Sequence, residues 1–191
     1  MSIPVNTLGK RGSLVAVLPI RIFGDPVLRQ RARALERVDG VHRRLAANMT
    51  ETMRVAPGVG LAGPQVGVLE RIFTWEVEGD HGTVINPVIV ARSEAVIEDE
   101  EGCLSLPGLA YPVERAAEVK IEGLDELGDP VSLEGEGLLA RVFQHEIDHL
   151  DGVLFVDHLP EPLRREAMGR LTDLSLGLAS AGPSVPAEET L

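Results

Sequence analysis

Residues 144–149 read Gln-His-Glu-Ile-Asp-His, an HExxH motif. On an α-helix, His145 and His149 lie four residues apart and project from the same face. Two imidazoles on one face can hold a metal ion, with Glu146 beside them as a general base. An open catalytic site needs a third protein ligand, and Cys103 is the best candidate in the chain. Water activated by such a metal points to hydrolysis.

The motif lies within an amphipathic pattern that predicts a helix over about residues 137–150. Gly152 stands where a helix stop is expected. The apolar positions that we expect to face inward are Leu139, Val142, Phe143, Ile147 and Leu150. The alternative is a solvated helix face with two surface histidines. Because apolar positions flank the motif, the two histidines are expected near the core boundary, which favours the metal site.

Cys103 is the only cysteine, and its neighbours favour a ligand role. A lone cysteine is most often a small buried apolar residue. Here Gly102 precedes it, which permits close approach of the backbone to another group, and Pro107 interrupts the segment that follows. A thiolate beside two imidazoles suits iron, zinc, cobalt or nickel.

Length and charge limit the classes of protein to consider. A chain of 191 residues predicts one domain, and a single cysteine without a secretory segment fits a reducing cytoplasm. The apolar stretch over residues 14–20 is too short to span a bilayer, so no membrane partner is expected. The net charge of −12 argues against broad binding to nucleic acid, and we expect no specific DNA partner.

Composition divides the chain into three parts. Residues 1–14 are polar and lack periodicity, so we predict a flexible extension. Residues 15–179 form the predicted catalytic domain. Residues 180–191 are small, proline-containing and acidic, which predicts a disordered tail.

Three further elements frame the motif. Asp39 is a candidate helix cap, and a helix is predicted to follow as far as about Val55, with an apolar stripe of Val41, Leu45, Met49 and Met53. A segment from Pro57 to Gly67 holds four glycines and two prolines, which predicts a tight loop without a regular strand. A third helix should start at Pro160 to Pro162, with a stripe of Leu163, Ala167, Leu171, Leu174 and Leu178.

Strands are predicted between these helices, at 71–77, 83–91, 95–98 and 116–124. Strands in series with segregated helices are typical of an α+β fold. We therefore predict antiparallel sheets packed around a central HExxH helix, with one helix N-terminal and one C-terminal to them.

Three segments together resemble the peptide deformylases of the bacterial type. The loop at 58–67 is similar to that family's first motif, Glu101-Gly102-Cys103-Leu104-Ser105 to its second, and residues 144–149 to its third. Their order and separations agree, and the resemblance extends from about residue 18 to residue 178. No long insertion separates the first two motifs, and in this respect the chain resembles the shorter, bacterial-type form of the family.

The resemblance implies a metal centre and a reaction. Cys103, His145 and His149 would hold one divalent ion, ferrous iron in most members, with zinc, nickel or cobalt as alternatives. Glu146 would take a proton from water and pass it to the leaving amine. The substrate would be the formyl group of an N-formylmethionyl nascent peptide, and the product formate.

The resemblance also implies a binding site for the peptide. Gln65 and the Leu104 backbone N–H would stabilise the oxyanion. Val59 and Gly60 would bind the peptide as an added strand, and an apolar pocket would receive the methionine side chain. The family usually has alanine where this chain has Gly63, and we expect the glycine to loosen the loop that holds Gln65.

Two other functions stay open at this point. A general HExxH metallopeptidase is one, although Phe155 stands where a large protease group has its third histidine. A non-catalytic, ribosome-associated module with a structural metal is the other. A ribosome contact through the C-terminal helix would use Arg164, Arg165 and Arg170, for which packing and solvation are an equal explanation.

Overall fold

The structure, a computed structural model, describes residues 7–8 and 14–178 of the chain. In chain order its elements are β1 (Thr7–Leu8), β2 (Leu14–Val15), α1 (Gly40–Val55), β3 (Gly60–Ala62), β4 (Ile72–Val77), β5 (Asp80–Arg92), β6 (Val96–Gly102), β7 (Ala110–Ala116), β8 (Glu118–Leu124), β9 (Pro130–Glu136), α2 (Gly137–Asp151) and α3 (Glu161–Ser175). The predicted tail over 180–191 and most of the predicted extension over 1–14 lie outside the described residues. The proposed domain limits therefore stay predictions.

The main sheet has five antiparallel strands in the order β3-β4-β5-β8-β9. A separate hairpin, β6-β7, and the short pair β1-β2 are antiparallel as well. Helix α2 packs on strands of the main sheet and on β7. The predicted α+β class with antiparallel sheets around the HExxH helix is confirmed. In the described part of the chain, no helix is long and apolar enough to cross a membrane.

Helix α2 forms where the apolar period predicted it. Phe143 is fully buried and packs on Phe73 and Trp75, with ring centroids 6.0 and 5.5 Å apart. The helix ends at Gly152 in the left-handed conformation, with φ 79°. A side chain at that position would also meet the Arg29 carbonyl oxygen at 2.8 Å, so the stop requires glycine.

Helix α1 begins after Asp39, as predicted, because the Asp39 carboxylate accepts the Val41 N–H at 2.9 Å. Met49 and Met53 are completely buried. The inclusion of Val41 in the stripe was wrong, since this side chain is 73% exposed. The buried part of α1 starts only at Ala46, so the first turn lies beyond the core.

Several strands differ from the prediction. The glycine-rich segment contains β3, which pairs with residues 73–75 of β4, so the exclusion of a strand there was wrong. Strands β7 and β9 were missed. In β7 the buried positions are Tyr111, Val113 and Arg115, and the charged residue hides the alternation. In β9 only Gly135 is buried, so the apolar signal is weak.

Helix α3 buries Ala167 and Leu171, as its predicted stripe requires. Leu178 does not belong to that stripe. The helix ends at Ser175, Gly177 adopts a positive φ of 67°, and Leu178 is left 74% exposed.

Candidate metal centre and active site

A cleft of about 390 Å³ opens where three segments of the chain meet. Strand β3 is the edge strand of the main sheet, so only one of its sides is paired within that sheet. The end of β6 and the face of α2 complete the walls. Among the residues that line the cleft are Val59, Gly60, Gln65, Cys103, Leu104 and Glu146.

The three predicted metal ligands converge in this cleft. The Cys103 Sγ lies 3.2 Å from the His149 Nε2, which lies 3.1 Å from the His145 Nε2. All three ligand atoms are within 4.8 Å of one another. Ligands of one tetrahedral ion are about 3.3–3.8 Å apart. The spacing and the thiolate and imidazole donors therefore fit a divalent metal of the iron-to-zinc series.

Glu101 orients one of these imidazoles. The His145 Nδ1 lies 2.6 Å from the Glu101 Oε1. Burial opposes the charge on Glu101, but hydrogen bonds from His145 and Arg115 hold the pKa of its carboxyl well below the usual range. A carboxylate only accepts, so Nδ1 carries a hydrogen, which leaves Nε2 as the nitrogen that can bind a metal.

Two buried arginines hold Glu101. Arg115 donates to both carboxylate oxygens, at 2.6 and 3.0 Å, and Arg141 donates at 2.9 Å. Arg115 also reaches Asp148, next to His149, at 2.6 Å. Sequence reasoning missed the roles of all four charged residues. The sequence did contain two signals: Arg115 occupies an inward position of β7, and Arg141 lies between the apolar residues of α2.

The two histidines have opposite electrostatic environments in the metal-free chain. For His145, burial lowers the pKa, but hydrogen bonds with Cys103 and Glu101 outweigh it and raise the pKa well above its ordinary value. Burial and the neighbouring His145 charge hold the pKa of His149 well below its ordinary value. Metal binding at this pair would therefore displace a proton from His145.

Glu146 lies at the inner wall of the cleft, only 3% exposed. Burial raises the pKa of its carboxyl to about 7, and the Glu101 and Asp148 charges act in the same direction against the lowering effect of His145. Its Oε2 has no hydrogen-bond partner in the described part of the chain. A carboxylate with this pKa can both accept and return a proton near neutral pH.

Gly60 makes room for Glu146. A Cβ at Gly60 would lie 2.2 Å from the Glu146 Oε1. Gly60 therefore has a packing role beside Glu146, in addition to the peptide contact that the sequence led us to expect.

Gln65 is held in one orientation. Its Oε1 accepts the Ala62 N–H at 2.7 Å, so the amide cannot exchange its ends without losing that bond. Its Nε2 donates to the Ser105 Oγ at 3.3 Å and lies 3.6 Å from the Cys103 Sγ. The side chain is 1% exposed, and its amide nitrogen faces Cys103, one of the three predicted ligands.

The surroundings of Gly63 are more tightly packed than the sequence indicated. The carbonyl oxygens of Val68 and Glu70 both lie 2.7 Å from the place where a Cβ would stand. The backbone itself occupies the room of the absent methyl group, so an alanine here would require the backbone to shift.

Comparisons with known proteins agree on one family. A family model described as Polypeptide deformylase matches residues 17–165. The chain is 52% identical over 154 residues to the peptide deformylase of Acidothermus cellulolyticus, covering 81% of this chain and 85% of the relative. The crystal structure of peptide deformylase from Thermus thermophilus superposes with a TM-score of 0.78 at 48% identity, over 85% of this chain and all of the other. A Legionella pneumophila peptide deformylase structure gives a TM-score of 0.80 at 39% identity, over 86% and 99% of the two chains.

Proposed function

The chain belongs to the polypeptide deformylase family, whose members remove the N-formyl group from new polypeptides, and we propose that Cys103, His145 and His149 hold its catalytic metal. The observation that carries this assignment is the convergence of three ligand atoms within 4.8 Å, beside a buried carboxylate. When bound, the metal would polarise the formyl oxygen and activate a water molecule. Ferrous iron is the proposed ion, and the same donors accept zinc, nickel or cobalt.

Glu146 is the proposed general base and general acid. It takes a proton from the attacking water as the new carbon–oxygen bond forms. It then returns that proton to the amine nitrogen as the carbon–nitrogen bond breaks, so the products are formate and a free N-terminal methionine. A pKa near 7 supports both directions of transfer.

Gln65 and the Leu104 backbone N–H are the proposed donors to the oxyanion. The bonds of Gln65 to Ala62 and Ser105 support its part, because they keep the amide nitrogen beside the Cys103 Sγ. Removal of one such donor typically costs on the order of 100-fold in rate.

The formylated peptide is proposed to bind along β3. Its backbone would pair with Val59 and Gly60 on the side of the strand that the main sheet leaves unpaired. The methionine side chain would enter the apolar part of the cleft, where Leu138 and Val142 lie. The formyl group must come close to the metal ligands, and the small residues that line this part of the cleft, such as Gly60, leave room for it.

The two alternative functions find little support. Phe155, at the third-histidine position of the protease group, is 1% exposed and stacks 6.4 Å from the His145 ring. Within residues 7–8 and 14–178, only one group of three or more ligands converges, and it has three members. A structural metal would require a fourth protein ligand.

We also propose the cytoplasm as the site of action and a ribosome contact through α3. Arg164 and Arg165 are 44% and 77% exposed, but both pair with Glu161 on the same helix. Arg170 instead donates to the Gly108 carbonyl at 3.3 Å. Cosedimentation with ribosomes tests the contact, and unchanged binding after Arg164 and Arg165 are both replaced by glutamate would exclude it.

Two variants test the assigned roles. Glu146→Ala should bind metal normally and lose turnover, whereas Cys103→Ala should lose the metal. Glu114→Ala, which removes an exposed carboxylate of β7, is the control and should retain both properties. Full activity in Glu146→Ala would overturn the mechanism.

A further inference from the structure

Arg115 lies on β7 outside the cleft, yet it connects the two segments that carry the metal ligands. We propose that Arg115 is a positioning residue for the metal centre, which holds the Cys103 segment against α2 and thereby sets how tightly the metal is retained. The inference rests on the ligand set proposed above.

The first connection runs to the Cys103 segment. Arg115 Nη2 and Nε donate to the two oxygens of Glu101, at 2.6 and 3.0 Å, and both side chains are at most 6% exposed. Glu101 lies two residues before Cys103 and also accepts from the His145 Nδ1. A planar guanidinium in this arrangement fixes the plane of the carboxylate, and the carboxylate fixes the imidazole.

The second connection runs to α2. Arg115 Nη1 donates to the Asp148 Oδ2 at 2.6 Å. Asp148 precedes His149 and also contacts the His158 Nε2 at 2.7 Å, and that nitrogen lies 3.3 Å from Arg115. One guanidinium therefore reaches the neighbours of all three ligands. Lysine, with one compact charge, cannot make these bonds together.

Arg141 has a different place in this cluster. It also donates to Glu101, and its other bonds go to the carbonyl oxygens of Ile97 and Val113, at 3.0 and 2.9 Å. It sits on α2 one turn before His145 and lines the cleft, so its replacement would disturb the peptide site as well. Arg115 holds the end of the helix that carries His149, and its own side chain does not line the cleft.

A measurement of metal affinity distinguishes a positioning role of Arg115 from a role in fold stability alone. Wild type, Arg115→Met and Arg115→Lys are prepared metal-free and titrated with Co²⁺, with the thiolate-to-cobalt absorption as the signal from Cys103. Competition with a chelator then gives the dissociation constant. Arg115→Met should bind about 10-fold more weakly, the low end of the loss seen when a direct partner of a ligand is removed, because Arg115 acts through Glu101 and Asp148. Arg115→Lys should also bind more weakly than wild type.

Arg71→Met is the matched control. Arg71 is 14% exposed and binds the same helix, through Asp151 at 2.7 Å and the Leu150 carbonyl at 3.4 Å. Its hydrogen bonds go to neither Glu101 nor the metal ligands, so its loss should lower the melting temperature and leave the Co²⁺ affinity within about twofold of wild type.

The outcomes are distinct. A folded Arg115→Met protein with wild-type affinity, whatever its melting temperature, would overturn the proposal. If that variant does not fold, Arg115→Lys and Asp148→Asn carry the test, and wild-type affinity in both would overturn it. A wild-type protein that shows no thiolate-to-cobalt band would instead contradict the ligand set itself.

Discussion

Gly60→Ala should disable the enzyme by moving Glu146, the proposed base. The new Cβ would stand 2.2 Å from the Glu146 Oε1 and 2.8 Å from its Cδ, whereas ordinary contact begins at 3.4 Å. The carboxylate must therefore shift by about 1 Å, and a misplacement of that size can cost on the order of 100-fold in rate. Because Glu146 is 3% exposed, its side chain has little free space in which to rearrange and bring the carboxylate back to its original position.

The assay for Gly60→Ala is formate release from formyl-Met-Ala-Ser, with metal measured on the same sample. We expect kcat to fall about 100-fold at unchanged metal content, since the added methyl group meets Glu146 and not the ligands. Gly169→Ala is the control, because a Cβ on that glycine of α3 meets nothing within 4 Å. A wild-type kcat in Gly60→Ala would refute the packing argument.

Three further predictions follow from the same site. Because burial raises the pKa of Glu146 to about 7, kcat/KM of the metal-loaded enzyme should fall with decreasing pH, with a midpoint at or below about 7, and a flat profile down to about pH 5 would contradict this. Gly63→Ala should destabilise the fold by about 1–3 kcal/mol in a denaturant titration, since its methyl group meets backbone carbonyls, and an unchanged midpoint would contradict it. Glu101 has a lowered pKa when folded, so its contribution to stability is present above pH 4.5 and is lost as the pH falls. Glu101→Gln should reduce that acid dependence in thermal melts.

Periodicity predicted the elements that bury a regular apolar face. Helix α2 formed over the predicted residues, because the inward positions around Phe143 recur at the helical period and Gly152 supplies the left-handed stop. The same reasoning failed for Val41, which has the right spacing but lies in a turn beyond the core. Spacing shows which side of a helix is apolar, and it does not show how far the partner surface extends.

Contacts between distant charged residues were not predictable from local pattern. Glu101, Arg115 and Asp148 belong to three different elements, and each is of a residue type that is usually solvent-exposed. Only the packing of the β6-β7 hairpin against α2 shows that they neutralise one another. Strand β3 was hidden for another reason, since its glycine disfavours a strand and only pairing with β4 makes it one.

Formate release from formyl-Met-Ala-Ser, on protein purified without oxygen and assayed for metal, is the decisive test of metal-dependent deformylase activity. We expect rapid release with about one metal ion per chain, and no cleavage of any peptide bond in unformylated Met-Ala-Ser. A folded, fully metallated protein that releases no formate would contradict it.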